Sequence, residues 1–300
     1  MSFKIINKQN LSEDIKRLDI SAPDIARRIQ PGQFVSVCPE EADERIPLTV
    51  VDHDSQKGII SLIIQERGYT TKKLTAMPIH TVIFSILGPL GKPAQIEKKE
   101  TVFCVATGLG AAQILPICRA FKTIGTRVIG VIGAKSKRTI LLEAQMRLAC
   151  NKIFITTNDG SYERRGLATD LLKELIIQQG KKEESLSSSL VYAVGSVDMM
   201  QAVCSFTLEK NVPTRIQVNP MMADCLGMCG SCRIRVNGKI VLACLEGPEF
   251  DGHTVDFEDL NIRMEAFKET KQWLNPRLQF SQPGGVLETL RKFPVAILKK

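Results

Sequence analysis

The chain has 300 residues, 44% hydrophobic and 24% charged, enough for two domains or three small ones that each bury a core. No run approaches the roughly 18 apolar residues that cross a bilayer, and Met1-Ser2-Phe3-Lys4 does not open a secretory leader, so a cytoplasmic protein without a membrane partner is expected. The net charge of +8 is spread out, with short runs at Lys98-Lys99, Lys181-Lys182 and Lys299-Lys300; with only 5% aromatics, the pattern argues against a nucleic-acid groove.

Residues 3–95 read as short strands broken by turns. Phe34–Val37 follows Pro31-Gly32, Leu48–Val51 precedes Asp52, and Ile59–Ile64 follows Gly58. Strands at this density without long helices between them predict an antiparallel barrel, with one short helix after Gly68-Tyr69-Thr70-Thr71, to about Met77-Pro78. Two features here could serve a ligand. In Arg45-Ile46-Pro47-Leu48-Thr49 a guanidinium and a hydroxyl point the same way along a strand, one toward a diphosphate and one toward a ring edge. The alternative is an edge strand capped by a surface arginine. Gly68, Thr70 and Thr71 suit either a phosphate at a helix N-terminus or an ordinary cap.

From Glu100 to Pro213 the rhythm changes to strand–helix alternation. The strands are Thr101–Ala106, Arg127–Ile132, Ile153–Thr157 and Leu190–Val194, and the helices Ala112–Thr123, Leu142–Cys150, Leu167–Gln178 and Asp198–Glu209. That order predicts a parallel sheet covered on both faces, hinged to the barrel at Gly91-Lys92-Pro93. Ala106-Thr107-Gly108-Leu109-Gly110 lies between a buried strand and a helix, where backbone amides can approach a pyrophosphate. Asp159-Gly160-Ser161 and Gly195-Ser196 close two further strands, and ligands of open parallel sheets bind at that edge.

The third unit runs from Ile216 to about Leu260, with strands Arg233–Val236 and Lys239–Cys244 joined by the hairpin turn Asn237-Gly238. A tail follows, helical over Arg263–Trp273 and then broken by Pro276, Pro283 and Gly284-Gly285. The divisions are 1–97, 98–215, 216–262 and 263–300. Of nine cysteines, Cys38, Cys104, Cys118, Cys150 and Cys204 sit singly in apolar runs as reduced core residues. The other four, Cys225, Cys229, Cys232 and Cys244, cluster, and Asp224 with the last three forms D-x4-C-x2-C-x11-C, the plant-type 2Fe–2S spacing with aspartate in the first place. Zinc is the alternative occupant. Spacing favours Asp224 as first ligand over Cys225, which is one residue too close to Cys229, although thiolate is the usual donor.

Barrel, nucleotide fold and cluster in that order resemble the ferredoxin–NADP reductase superfamily, over about residues 3–262. Within it the chain is similar to the dihydroorotate dehydrogenase electron-transfer subunit branch, and more narrowly to the small subunits of NADH-dependent ferredoxin:NADP oxidoreductases. Met222-Ala223-Asp224 and the stretch Cys244–His253 carry the narrower likeness. The resemblance implies a mixed β and α/β fold: a flavin-binding barrel, a parallel-sheet nucleotide-binding domain and a small 2Fe–2S domain. It implies FAD on Arg45, Pro47, Leu48 and Thr49, with Gly68, Thr70 and Thr71 at its pyrophosphate. Gly108, Leu109, Gly110, Asp159, Gly160, Ser161 and Gly195 would take NAD(H) or NADP(H), and Asp224, Cys229, Cys232 and Cys244 the cluster. The activity implied is hydride transfer from NAD(P)H to FAD, then single electrons through the cluster to a partner. That partner would be a larger flavoprotein of the glutamate-synthase small-subunit type, with ferredoxin as a further one, in a complex that bifurcates electrons.

Two rivals stand beside this reading. One is the electron-transfer subunit for dihydroorotate oxidation, which uses four cysteines. The other is a non-catalytic, zinc-stabilised nucleotide-binding module. His53, His80 and His253 are isolated, and no side chain stands out as a general acid or base; hydride transfer to a flavin needs alignment more than either.

Overall fold

A computed structural model describes residues 2–180 and 188–266. The first region folds as seven antiparallel strands, β1 (Phe3–Asn10), β2 (Ile15–Ser21), β3 (Phe34–Cys38), β4 (Ile46–Asp54), β5 (Ile59–Gln65), β6 (Val82–Ile83) and β7 (Ser85–Leu90). Their order is β6-β1-β2-β5-β4-β3-β7, and among the described residues no pairing closes β6 onto β7, so the sheet is a half-barrel. Alternation sets its inner face: Leu18 and Ile20 of β2 point in while Arg17 and Asp19 point out. Ile5, Val35, Val37, Ile60, Leu62 and Ile64 complete that core, each contributing about 2 kcal/mol on burial. Two helices lie against the sheet, α1 (Pro23–Arg28) and α2 (Tyr69–Ala76). The second is the short helix expected after Gly68. The first opens on Pro23, a residue suited to a first helical turn.

The second region is built on β8 (Thr101–Thr107), β9 (Arg127–Ala134), β10 (Lys152–Thr157), β11 (Arg164–Arg165), β12 (Ser189–Val194) and β13 (Thr214–Gln217), all parallel. Helices α3 (Gly110–Thr123), α4 (Glu143–Ala149), α5 (Ala168–Gly180) and α6 (Val197–Glu209) cover its two faces. The order β11-β10-β9-β8-β12-β13 reverses direction between β8 and β12, which makes the carboxyl ends of those strands the crevice of the sheet.

In the third unit β14 (Arg233–Val236) and β15 (Lys239–Leu242) form the expected hairpin, its turn residues Asn237 and Gly238 both at positive φ (50° and 75°). Then come α7 (Ala243–Glu246), β16 (Glu249–Asp251) and α8 (Phe257–Ala266). Strand β16 joins the parallel sheet antiparallel to β13, so the cluster unit is stitched to the nucleotide unit by backbone hydrogen bonds.

Three local expectations are corrected. The second hairpin strand ends at Leu242, and Cys244 lies in the turn of α7 that begins as the chain leaves the pair. Helix α8 starts at Phe257 instead of Arg263, because the Asp256 carboxylate accepts the Asp259 amide (2.9 Å) and caps it early. Gly91-Lys92-Pro93 is no free hinge: the Lys92 amide donates to the Gly247 carbonyl (2.6 Å) and Gln33 Nε2 to the Gly91 carbonyl (2.8 Å). Lys181-Lys182, the remainder of the helix expected to Trp273 and the tail to Lys300 lie outside the described residues.

Candidate functional site

A cleft opens where all three units meet. The half-barrel contributes Pro47, Leu48 and Thr49 of β4; the start of α3 contributes Leu109, Ala112 and Gln113; Gln217, Val218, Asn219 and Met222 close it from β13 onward. The ion pair Arg119–Asp52 (2.9 Å) ties α3 to β4 beside it. Sequence reasoning found the first two walls and missed the third, because nothing in Gln217-Val218-Asn219 marks a ligand before the chain is folded.

Along the half-barrel the site has charge where an anion would lie. Arg45 Nη2 donates to Ser85 Oγ (3.1 Å), which leaves the buried Nη1 without a partner. A buried guanidinium nitrogen left open costs stability unless a ligand oxygen meets it, so Arg45 fits a diphosphate. Gly68 precedes α2 with nothing within 4 Å of where a Cβ would stand, so an anion can approach the first turn. Both threonine hydroxyls are engaged within the protein: Thr70 Oγ1 donates to Glu44 Oε1 (2.8 Å), and Thr71 Oγ1 accepts the Gly68 amide (3.0 Å).

At the carboxyl edge of the parallel sheet, Gly108 is left-handed (φ +55°) with open space around it. Gly110 and Gly195 do the opposite job. A Cβ on Gly110 would run into the Val194 carbonyl, and one on Gly195 into Thr107 Oγ1, so both are needed for β8 and β12 to approach. Asp159, Gly160 and Ser161 follow β10. The Asp159 carboxylate accepts the Ser161 hydroxyl (2.7 Å) and amide (2.9 Å), which hold it below its usual range, and Ser161 Oγ accepts the Lys137 amide (2.8 Å).

The cluster loop Asp224–Cys232 is wound by left-handed backbone at Cys225, Gly227 and Gly230. Cys232 Sγ and Cys244 Sγ lie 3.3 Å apart, both buried, and burial beside Cys232 pushes Cys244 up to about 12. Cys229 is exposed; burial raises its thiol, but the hydroxyl (3.1 Å) and amide (3.5 Å) of Ser231 prevail and lower it. The Asp224 carboxylate accepts the amides of Leu226 (2.8 Å), Met228 (2.9 Å) and Cys229 (2.6 Å), which keep it ionised. Cys225 is buried in the core that also holds Cys232, Cys244, Phe34 and Met222, and burial raises its thiol. Among the described residues, no three metal-ligating side chains converge on one point in this geometry. The donor set still fits an iron–sulfur group: a buried thiol pair faces a loop that carries a third thiol and an ionised carboxylate.

The comparisons agree with this geometry. Residues 2–94 match the oxidoreductase FAD-binding domain, and residues 219–256 match the iron–sulfur cluster binding domain of dihydroorotate dehydrogenase B. Over 269 residues the chain is 33% identical to a dihydroorotate dehydrogenase B (NAD(+)) electron-transfer subunit homolog of Thermotoga maritima, covering 90% of this chain and 93% of that one. The chain belongs to this family of electron-transfer subunits, within the ferredoxin–NADP reductase superfamily.

An uncharacterized protein from the adh 3' region of Clostridium beijerinckii is 36% identical over 278 residues (90% of this chain, 92% of that one). The solved NADH-dependent reduced ferredoxin-NADP oxidoreductase, described for flavin-based electron bifurcation, superposes with a TM-score of 0.84 at 32% identity, over 93% of this chain and 98% of that chain. A ferredoxin NADP+ reductase from Neisseria gonorrhoeae shares the fold alone, with a TM-score of 0.53 at 17% identity over 70% of this chain and 90% of that one. The chain is therefore a flavin and iron–sulfur oxidoreductase subunit, and the zinc-module alternative gives way to the iron–sulfur match. Among the described residues no helix is long and apolar enough to cross a membrane. His253 Nε2 shares a hydrogen bond with the Thr207 hydroxyl (2.9 Å).

Proposed function

We propose that this subunit passes electrons between NAD(P)H and a partner oxidoreductase, by way of FAD in the three-walled cleft and a 2Fe–2S group in the Asp224–Cys232 loop. When bound, FAD exchanges hydride for single electrons, and the iron–sulfur group carries those one at a time. The observation that carries the reading is continuity. Met222 lines the cleft, and Asp224, which opens the cluster loop, is two residues further on.

Each residue set then has a task. Pro47, Leu48 and Thr49 form the wall on which the flavin ring lies, and Arg45 holds its diphosphate beside the first turn of α2. Gly108, Leu109, Gly110 and Gly195 admit the dinucleotide at the switch point, and Asp159, Gly160 and Ser161 meet its far end. Asp224, Cys229, Cys232 and Cys244 hold the iron, with Cys225 as a buried packing residue. The divisions at 97, 215 and 262 separate these tasks, and the protein lies in the cytoplasm.

An electron-transfer subunit implies a larger catalytic partner, and the surface around the cluster loop suits one. Leu226 (46% exposed), Met228 (85%) and Leu245 (49%) rim it, with the Cys229 thiol exposed among them. The family resemblance of the sequence suggests a larger flavoprotein of the glutamate-synthase small-subunit type as that partner, with ferredoxin as a further one. Likeness to the solved ferredoxin-NADP oxidoreductase, described for flavin-based electron bifurcation, supports a pair that bifurcates electrons. A second reading, the electron-transfer subunit for dihydroorotate oxidation, is supported by the family matches. The aspartate in the first ligand position favours the former.

The test is an anaerobic visible spectrum of the purified chain, titrated with NADH and then with NADPH. Flavin bands with an iron–sulfur shoulder, bleached together by one nicotinamide, are expected and identify the donor. A colourless chain, or colour untouched by either nucleotide, would overturn the proposal. Asp224→Cys with unchanged coupling to the dihydroorotate-oxidising partner would favour the second reading.

A further inference from the structure

Among the residues that line the cleft, the buried ones are apolar with a single exception. Gln217, the last residue of β13, is 5% exposed, while the neighbouring Asn219 reaches solvent. The orientation of its carboxamide is fixed by chemistry. Nε2 lies 3.0 Å from the Gly32 carbonyl, which can only accept, so the nitrogen belongs there and the oxygen points the other way. That oxygen is buried and meets no donor. The backbone around the clamp is equally fixed: Gly32 is left-handed (φ +88°) with Ala94 against it, and the Ala94 amide donates to the Pro31 carbonyl (2.8 Å). Gln217 therefore cannot swing out to find water without breaking its bond to the half-barrel.

An unmet buried acceptor costs the fold free energy unless something brings it a proton. The same side chain joins two of the walls between which the rings of the proposed reaction must lie. We infer that Gln217 Oε1 is an anchoring acceptor for a ring-borne amide N–H, the chemistry shared by the imide N3–H of the flavin and the carboxamide of the nicotinamide. It would set the depth and tilt of one ring against the other, which is the alignment that hydride transfer needs. This inference rests on the flavoprotein reading above and adds to it a residue with no motif of its own.

Two ligand pairs separate the sources without turnover. The affinity of the FAD-loaded chain is measured for NAD+ against 3-acetylpyridine adenine dinucleotide, which lacks the carboxamide N–H, and for the corresponding phosphates. The affinity of the FAD-free chain is measured for FAD against N3-methyl-FAD by flavin fluorescence. If Gln217 accepts from one ring, wild type prefers the N–H-bearing member of one pair by about tenfold, and Gln217→Leu abolishes that preference. Gln217→Glu, which keeps an acceptor and discards the bond to Gly32, retains the preference despite a lower melting temperature. The inference is overturned if wild type prefers neither N–H ligand, or if the preference survives Gln217→Leu unchanged; the oxygen then serves a bound water or the clamp alone. A wild-type chain that binds neither FAD nor a dinucleotide would remove the flavoprotein reading first, and this inference with it.

Discussion

The cleft and the cluster loop solve the same problem, holding a redox group, by opposite means. The cleft is a product of tertiary structure. Its walls are the first half of β4, the start of α3 and the chain from the end of β13 onward, brought together by sheet hydrogen bonds and by glycines that let β8 and β12 crowd together behind them. The loop has no regular structure between Asp224 and Cys232; what shapes it is one carboxylate that gathers three amides. A site made by packing should fail with the fold, whereas a site made by a few polar contacts should fail by itself.

The largest effect expected from that difference is at the thiol pair. Cys232→Ser, or Cys244→Ser, should remove essentially all iron–sulfur absorbance while FAD stays bound, as iron and flavin stoichiometry on the purified variant would show. Parallel loss of both groups would mean that the two sites are not separable. Gly110→Ala tests the other side: with the Val194 carbonyl in the way of the new methyl, it should cost about 3 kcal/mol in a denaturant titration and abolish nucleotide binding while iron is retained.

Arg45 offers a milder probe of the cleft. Arg45→Ala should weaken FAD binding on the order of 10- to 100-fold in flavin fluorescence, the worth of one or two charge-assisted bonds, without changing the iron content. The smallest effect concerns the seam between the regions. Glu249 of β16 accepts the Tyr192 hydroxyl (2.9 Å) and the Gln95 amide (3.2 Å), and burial raises its carboxyl above the ordinary 4.5. A raised folded pKa means that the seam is fully stable below that ordinary value and loses stability as pH rises through the folded one. Glu249→Gln should flatten that decline in melting temperature measured against pH; an unchanged slope would show that the seam does not titrate.

The same division decides what could be read before folding. The cluster motif was legible because its chemistry depends on spacing within one short segment, and the alternation from β8 to α6 was legible because helices and strands have different periods. The first two strands carry polar residues at consecutive positions (Lys8-Gln9 and Lys16-Arg17), which break the apolar–polar alternation. Cys244 was placed on a strand because the apolar run Ile240-Val241-Leu242 gives no sign of the turn that follows. Gln217 lay beyond reach for a stronger reason. Its partner Gly32 is 185 positions away, and only the assembled walls show that one end of its carboxamide is fixed and the other open.

The most direct test of the central claim, that cleft and loop form one electron path within a single chain, is electron paramagnetic resonance after anaerobic reduction with a nicotinamide. The account predicts the signal of a reduced 2Fe–2S group, integrating to about one spin per chain, with the flavin reduced by the same nucleotide. A fully reduced flavin beside a cluster that stays silent until dithionite is added would contradict it.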